Sequence, residues 1–225
     1  MRAPALFAPA LSGCAASLPA PLAAPLSALD PAGPHAAGVA RLWWIMLGGS
    51  IAAFAVMAAL LALAFTRRGR PSVRLWLGGL GVALPAVLLT LLTGYAFAIG
   101  KAGLATPAPG LVTVAATGHQ FFWTFRQPGG GGAIATRDDL HIPAGRPIDV
   151  RIGSADVIHS FWVPRLAGKM DAIPGQVNVL RIQADRPGIY AGRCAEYCGL
   201  HHAENRFRVI AHDPAGWAAF QAKAR

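Results

Sequence analysis

Two stretches of the chain admit very few environments. Residues 42–66 and 75–100 run for 25 and 26 residues without a charged side chain. As α-helices rising about 1.5 Å per residue, each exceeds the roughly 30 Å hydrocarbon thickness of a bilayer. Trp43, Trp44 and Trp76 stand at their ends, where indole rings favour the membrane boundary. Two buried helices of a soluble core are the alternative, but 54% apolar content with only 13% charge favours lipid. Residues 67–74 between the runs carry four arginines, against Arg41 and Lys101 on the outer flanks. The positive-inside rule then makes that loop cytoplasmic and places everything after Lys101 outside the cytoplasm.

The net charge of +10 raises the question of nucleic acid. The basic residues are scattered. Thirteen of them and nine of the ten acids follow residue 111, so that half is +4 with no dense basic run. Phosphate recognition wants a patch or stripe, and none is visible, so nucleic acid is not among the expected partners.

Near the N-terminus, Leu11-Ser12-Gly13-Cys14 resembles the lipobox at which bacterial lipoproteins are cleaved and acylated. This makes Cys14 a candidate lipidation site; an accidental match is the other reading, since Pro4 and Pro9 break the apolar run. Residues 15–34, rich in Ala and Pro, read as a flexible tether. The chain thus divides into a signal-like segment and tether over 1–34, a transmembrane hairpin over 35–103, and an extracytoplasmic domain over 104–225.

In that last part the pattern changes to short β-rich runs separated by Gly and Pro turns. Seven candidate strands, from 111–116 to 206–211, indicate an all-β sandwich or barrel. Residues 214–224 read as a closing helix capped by Asp213.

The chemistry concentrates in Cys194-Ala195-Glu196-Tyr197-Cys198-Gly199-Leu200-His201-His202. Two thiols four residues apart, with an imidazole four further on, present soft S and N donors to one small volume. His159, inside an otherwise apolar segment, offers another imidazole. Copper and tetrahedral zinc both suit such donors, and a Cys194–Cys198 disulfide is the bland reading outside the cytoplasm.

The segments 156–164, 174–177 and 194–202, behind two spans, resemble subunit II of the haem-copper cytochrome c oxidases. The resemblance implies a membrane-anchored α+β chain, a two-helix hairpin followed by a cupredoxin-like sandwich, in the bacterial inner membrane with its C-terminal domain periplasmic. It implies a binuclear copper A centre that takes electrons from cytochrome c, or a similar donor, and passes them to haem in subunit I, where O2 is reduced. Carried over by motif, Cys194 and Cys198 match the bridging thiolates, and His159 and His202 the imidazole ligands. The Glu196 carbonyl matches a weak axial ligand, and the Glu196 side chain a ligand of Mg²⁺ at the subunit I boundary.

Three departures stand out. Asn205 occupies the place of the axial methionine, replacing a soft thioether by a harder amide oxygen. Phe121 stands where the family carries the tryptophan that receives electrons, with Trp123 two positions on; the pair are candidates for electron input, and filling the core is their alternative role. No carboxylate lies within 75–100, so the family's proton-channel glutamate has no counterpart. A membrane-anchored copper-binding or assembly protein is therefore the competing function. A quinol-oxidase subunit is disfavoured, because those relatives generally lack the cysteines.

Overall fold

The computed structural model describes residues 26–66, 72–103 and 110–223. Cys14 and most of the arginine-rich loop lie outside the described residues. Helix α1 spans Pro34–Thr66, and a π-helical stretch over Arg74–Ala83 leads into α2, Leu84–Gly103. Both helical spans are long and apolar enough to cross a membrane. The second begins wide because of its sequence. Gly78, Gly79 and Gly81 offer little helix propensity and Pro85 brings no N–H, so the ladder slips by one residue: the Leu84 N–H donates to Gly79 O, five positions back.

Ten strands follow: β1 Val112–His119, β2 Phe122–Gly129, β3 Gly132–Arg137, β4 Asp139–Pro143, β5 Ile148–Ser154, β6 His159–Trp162, β7 Met170–Ala172, β8 Asn178–Ile182, β9 Gly188–Cys194 and β10 Arg206–His212. They form two five-stranded sheets, ordered β3-β2-β1-β5-β8 and β4-β10-β9-β6-β7. Most pairings are antiparallel, but β1 runs parallel to β5 and β4 to β10. This is the sandwich expected from the sequence, with three more strands. β3 is built of small and polar residues at the sheet edge, β6 is buried along most of its length and lacks alternation, and β7 has only three residues.

Alternation on β2 turns Trp123, Phe125 and Gln127 inward and leaves Arg126 exposed. From the facing sheet, Phe207 of β10 meets Trp123, Phe125 and Phe161, with ring centroids 5.4, 5.6 and 4.7 Å away. These offset and tilted rings form the centre of the core. The buried Gln127 amide is satisfied by Thr136 Oγ1 at 2.7 Å and the His141 N–H at 2.5 Å. Helix α3, Pro214–Ala222, closes the far end; Asp213 Oδ1 accepts from the Gly216 N–H at 2.7 Å, as its capping role requires.

One expectation needs correcting. The segment before α1 is not a free tether where it is described. Asp30 pairs with Arg165 at 2.9 Å, the Ala32 N–H donates to Arg165 O at 2.7 Å, and the Asp185 N–H donates to Ala32 O at 2.9 Å. Gly33 allows this seating, because a Cβ there would lie 2.1 Å from Gln183 O.

Candidate metal centre

The site lies at one end of the sandwich, where β6 begins and β9 ends. His159 opens β6 and is wholly buried. Its Nε2 donates to Asp156 Oδ1 at 2.7 Å, which leaves Nδ1 facing Cys194 Sγ at 3.7 Å. Asp156 also accepts from the Gln120 N–H at 2.8 Å and the Val157 N–H at 2.6 Å. Burial pushes the Asp156 carboxyl up, but the bonds from His159, Gln120 and Val157 outweigh it and hold the group below the usual range. A carboxylate behind the ring fixes both its tautomer and its direction.

Cys194 ends β9 with its N–H bonded to Asn205 O at 2.9 Å. From there the chain loops through Cys198 and a 3₁₀ turn over His202–Glu204 before β10. Gly199 adopts φ +134°, and a Cβ there would press on Gln120 Nε2 and the Phe121 ring at 3.1 Å. Gln120 secures the same turn by donating to Cys198 O at 2.6 Å. The two sulfurs are free thiols 3.9 Å apart, so they are not joined, and His202 Nδ1 lies 3.6 Å from Cys198 Sγ. The ligand atoms of His159, Cys194 and Cys198 all fall within 4.8 Å of one another. Burial, with the Cys194 sulfur beside it, pushes the Cys198 thiol up to about 11. A Cys198 thiol that resists ionisation when alone would become a thiolate when a soft cation takes the proton's place.

Asn205, wholly buried, stands between the 3₁₀ turn and β10. Its Nδ2 donates to His119 O at 3.1 Å and lies 3.8 Å from Cys198 Sγ, while Oδ1 has no partner. The Glu196 carbonyl stands 3.2 Å from Cys194 Sγ, and its carboxylate turns outward to Lys169 Nζ at 3.3 Å. Phe121 is half-buried and meets His201 edge-on at 5.3 Å. Trp123 does not join it on the surface. Its ring is in the core, edge-on to His159 at 6.0 Å, so of the two roles the sequence left open for Trp123 the structure shows the core-filling one, and the ring offers no surface to an external donor.

Several residues that shape the site carried no obvious signal. Asp156 stands three positions before His159, a spacing that suits a carboxylate-to-imidazole bond, but Gln120 and Gly118 reach the site only through the fold. Tyr197 and Leu200, 75% and 86% exposed, make the outer rim of the loop apolar.

Known proteins resemble the chain in the same places. The family model for the cytochrome c oxidase subunit II periplasmic domain matches residues 127–211. Cytochrome c oxidase subunit 2 of Alkalihalophilus pseudofirmus is 33% identical over 201 residues, covering 83% of this chain and 58% of that protein. The subunit 2 of Thermostichus vulcanus is 44% identical over 107 residues, covering 48% of this chain and 31% of that protein. The chain thus spans a little over half the length of the first relative and about a third of the second. Among solved structures, the periplasmic domain of subunit II of cytochrome oxidase of Bradyrhizobium japonicum aligns with a TM-score of 0.49 at 27% identity, covering 53% of this chain and 96% of that one. Two membrane-length helices lead into a sandwich whose residues 127–211, which carry His159 and both thiols, match the cytochrome c oxidase subunit II periplasmic-domain family, in keeping with a membrane-anchored protein with a periplasmic C-terminal domain.

Proposed function

We propose that this chain is the electron-input subunit of a respiratory haem-copper oxidase, with a binuclear copper centre held by Cys194, Cys198, His159 and His202. The observation that carries this reading is the order of the donors. His159 Nδ1, Cys194 Sγ, Cys198 Sγ and His202 Nδ1 follow one another at 3.7, 3.9 and 3.6 Å, each imidazole beside a different sulfur. Two sulfurs in the middle with one nitrogen at each end would suit two ions held by these four side chains. A single tetrahedral zinc would draw all four donors around one point. Bound there, copper supplies one-electron transfer between a donor such as cytochrome c and the haem of subunit I, where O2 is reduced.

The protein's own residues prepare that site. Asp156 keeps the Nδ1 lone pair of His159 directed at the sulfurs, and Gln120 holds the loop that carries Cys198. Asn205 would offer a further, weak donor: His119 O pins its Nδ2 and leaves a buried oxygen without a donor, which a weakly held cation would satisfy. Phe121, with the apolar rim of Tyr197 and Leu200, is the surface at which a donor's haem edge would approach. The Glu196 carboxylate, 43% exposed beside Lys169, is the group suited to Mg²⁺ at the subunit I boundary. The hairpin would sit in the bacterial inner membrane with residues 67–74 in the cytoplasm.

The deciding experiment is a visible and EPR spectrum of the copper-loaded protein, expected to show a mixed-valence binuclear signal. One copper per chain, or zinc alone, refutes the reading. Asn205 at the methionine position favours a second reading, a copper-binding or assembly protein. Isolation from the membrane together with haem and subunit I supports the oxidase, and isolation as a solitary copper protein supports the alternative. Lipidation at Cys14 predicts a mature N-terminus at an acylated Cys14, and an intact Met1 by mass spectrometry rejects it.

A further inference from the structure

A cleft of about 510 Å³ separates the top of the helical hairpin from the sandwich, away from the thiols. The first turns of α1 and the last turns of α2 form one wall, and residues 167–170 with Leu180 form the other. Its polar groups are His35, Arg41, Tyr95 and Lys169, and no carboxylate lines it. Lys169 leans out of the cleft toward Glu196 and Asp171, at 3.3 and 3.7 Å. Arg41 has no acidic partner among the described residues.

The depth of this cleft in the bilayer follows from the chain. The uncharged run starts at Leu42, immediately after Arg41, and Trp43 and Trp44 come next. With 33 residues, α1 is about 50 Å long, some 20 Å more than the hydrocarbon needs. The surplus at the sandwich end, residues 34–41, therefore stands at the level of the lipid headgroups.

We propose that the cleft binds the headgroup of one anionic phospholipid of the outer leaflet, with its phosphate paired to Arg41. A free phosphate would satisfy Arg41 but not Val39, Ile99 and Leu180, which line the same space and suit the glycerol and the start of the acyl chains. A zwitterionic headgroup would bring its cation against Arg41, and the nearest carboxylates, Glu196 and Asp171, lie outside the cleft and are already paired with Lys169. The lipid would thus fasten the hairpin to the domain it carries.

The test is native mass spectrometry of the full chain in detergent, mixed with phosphatidylglycerol or phosphatidylcholine of identical acyl chains. One phosphatidylglycerol per chain is expected to survive activation that strips phosphatidylcholine. Arg41→Gln should lower its occupancy about fivefold, as loss of one basic contact at a membrane surface implies. Arg41→Lys should keep most of the binding and so shows that the fold tolerates change there, and Arg126→Gln, on the outer face of the sandwich, should have no effect. Equal retention of both lipids, displacement by soluble glycerol phosphate, or an unchanged occupancy in Arg41→Gln overturns the proposal. So does loss of the lipid from the assembled oxidase, which would mean that another subunit fills the cleft.

Discussion

Gly118→Ala tests whether the metal site depends on the contact between the two sheets. Gly118 lies on β1 against the ring of His159, and a Cβ added there would stand 2.9 Å from both Cγ and Cδ2 of the imidazole. Ordinary contact begins near 3.4 Å, so one partner has to move by about 0.5 Å. Neither is free to do so. Gly118 pairs with Trp123 on one side and Ser154 on the other, while His159 is wholly buried and tied to Asp156 at 2.7 Å. Overpacking of this kind costs about 1–3 kcal/mol, and each kcal/mol lowers the Tm of a domain this size by roughly 4–8 °C. Because the yielding ring carries a proposed ligand nitrogen, copper affinity should fall about 10–100-fold as well. Thermal unfolding with and without copper, together with competitive copper titration, reads both effects. Gly168→Ala, where an added Cβ meets nothing within 4 Å, is the control. A Gly118→Ala chain with the parent's Tm and affinity would refute the reasoning, because it would mean that His159 has room the geometry denies.

Gly192→Ala should be more severe: its Cβ would lie 2.2 Å from the ring of Phe207, which is wedged among Trp123, Phe125 and Phe161, so a melting scan should show little or no cooperative transition. Asp156→Asn keeps the size of the group behind His159 but removes its charge, and copper titration should show affinity reduced about 10–100-fold with the Tm of the metal-free chain little changed. At the far end, His141 Nδ1 and His212 Nε2 share a hydrogen bond at 2.8 Å beneath Phe220. Burial lowers both pKa values, helped by His212 and Lys223 for His141 and by Lys223 for His212, against Asp139 and Asp213. The unfolded chain then takes up protons first, so stability should fall as pH drops below about 6.5, the unfolded value, and Tm measured from pH 7 to pH 5 should fall less in His141→Gln. A Tm flat across that range in the parent chain contradicts this reading.

What the sequence made legible and what it hid follow from the range of the forces involved. The hairpin was readable because a bilayer imposes length and absence of charge on every residue of a span. The seven expected strands were readable where one face meets the core and alternation survives. Alternation left the face of Trp123 undecided, and packing against Phe207 of the opposite sheet settles it inside. Likewise Cys194, Cys198 and His202 announce themselves by spacing within one loop, and Asp156 stands only three residues from His159. Gln120 reaches Cys198 across 78 positions, and His119 reaches Asn205 across 86, so neither contact exists until both sheets are placed.

That division also explains how the site holds its geometry. The four donor side chains belong to β6, the end of β9 and the loop joining β9 to β10, all connected with one sheet, but several of their restraints come from the other. Gly118 and His119 on β1, Gln120 in the turn to β2, and Asp156 after β5 press or bond against His159, the Cys198 loop and Asn205. The position of His159 and of the Cys198 turn therefore depends on how the two sheets are set against each other, and the rings of Trp123, Phe125, Phe161 and Phe207 hold them in close-packed contact. On the proposed function, an ion held there would find donors that follow a change in its charge only a little. The stability of the sandwich and the small rearrangement that electron transfer would require then have one physical source, and a substitution that loosens the aromatic core should alter copper binding even where it touches none of the four donors.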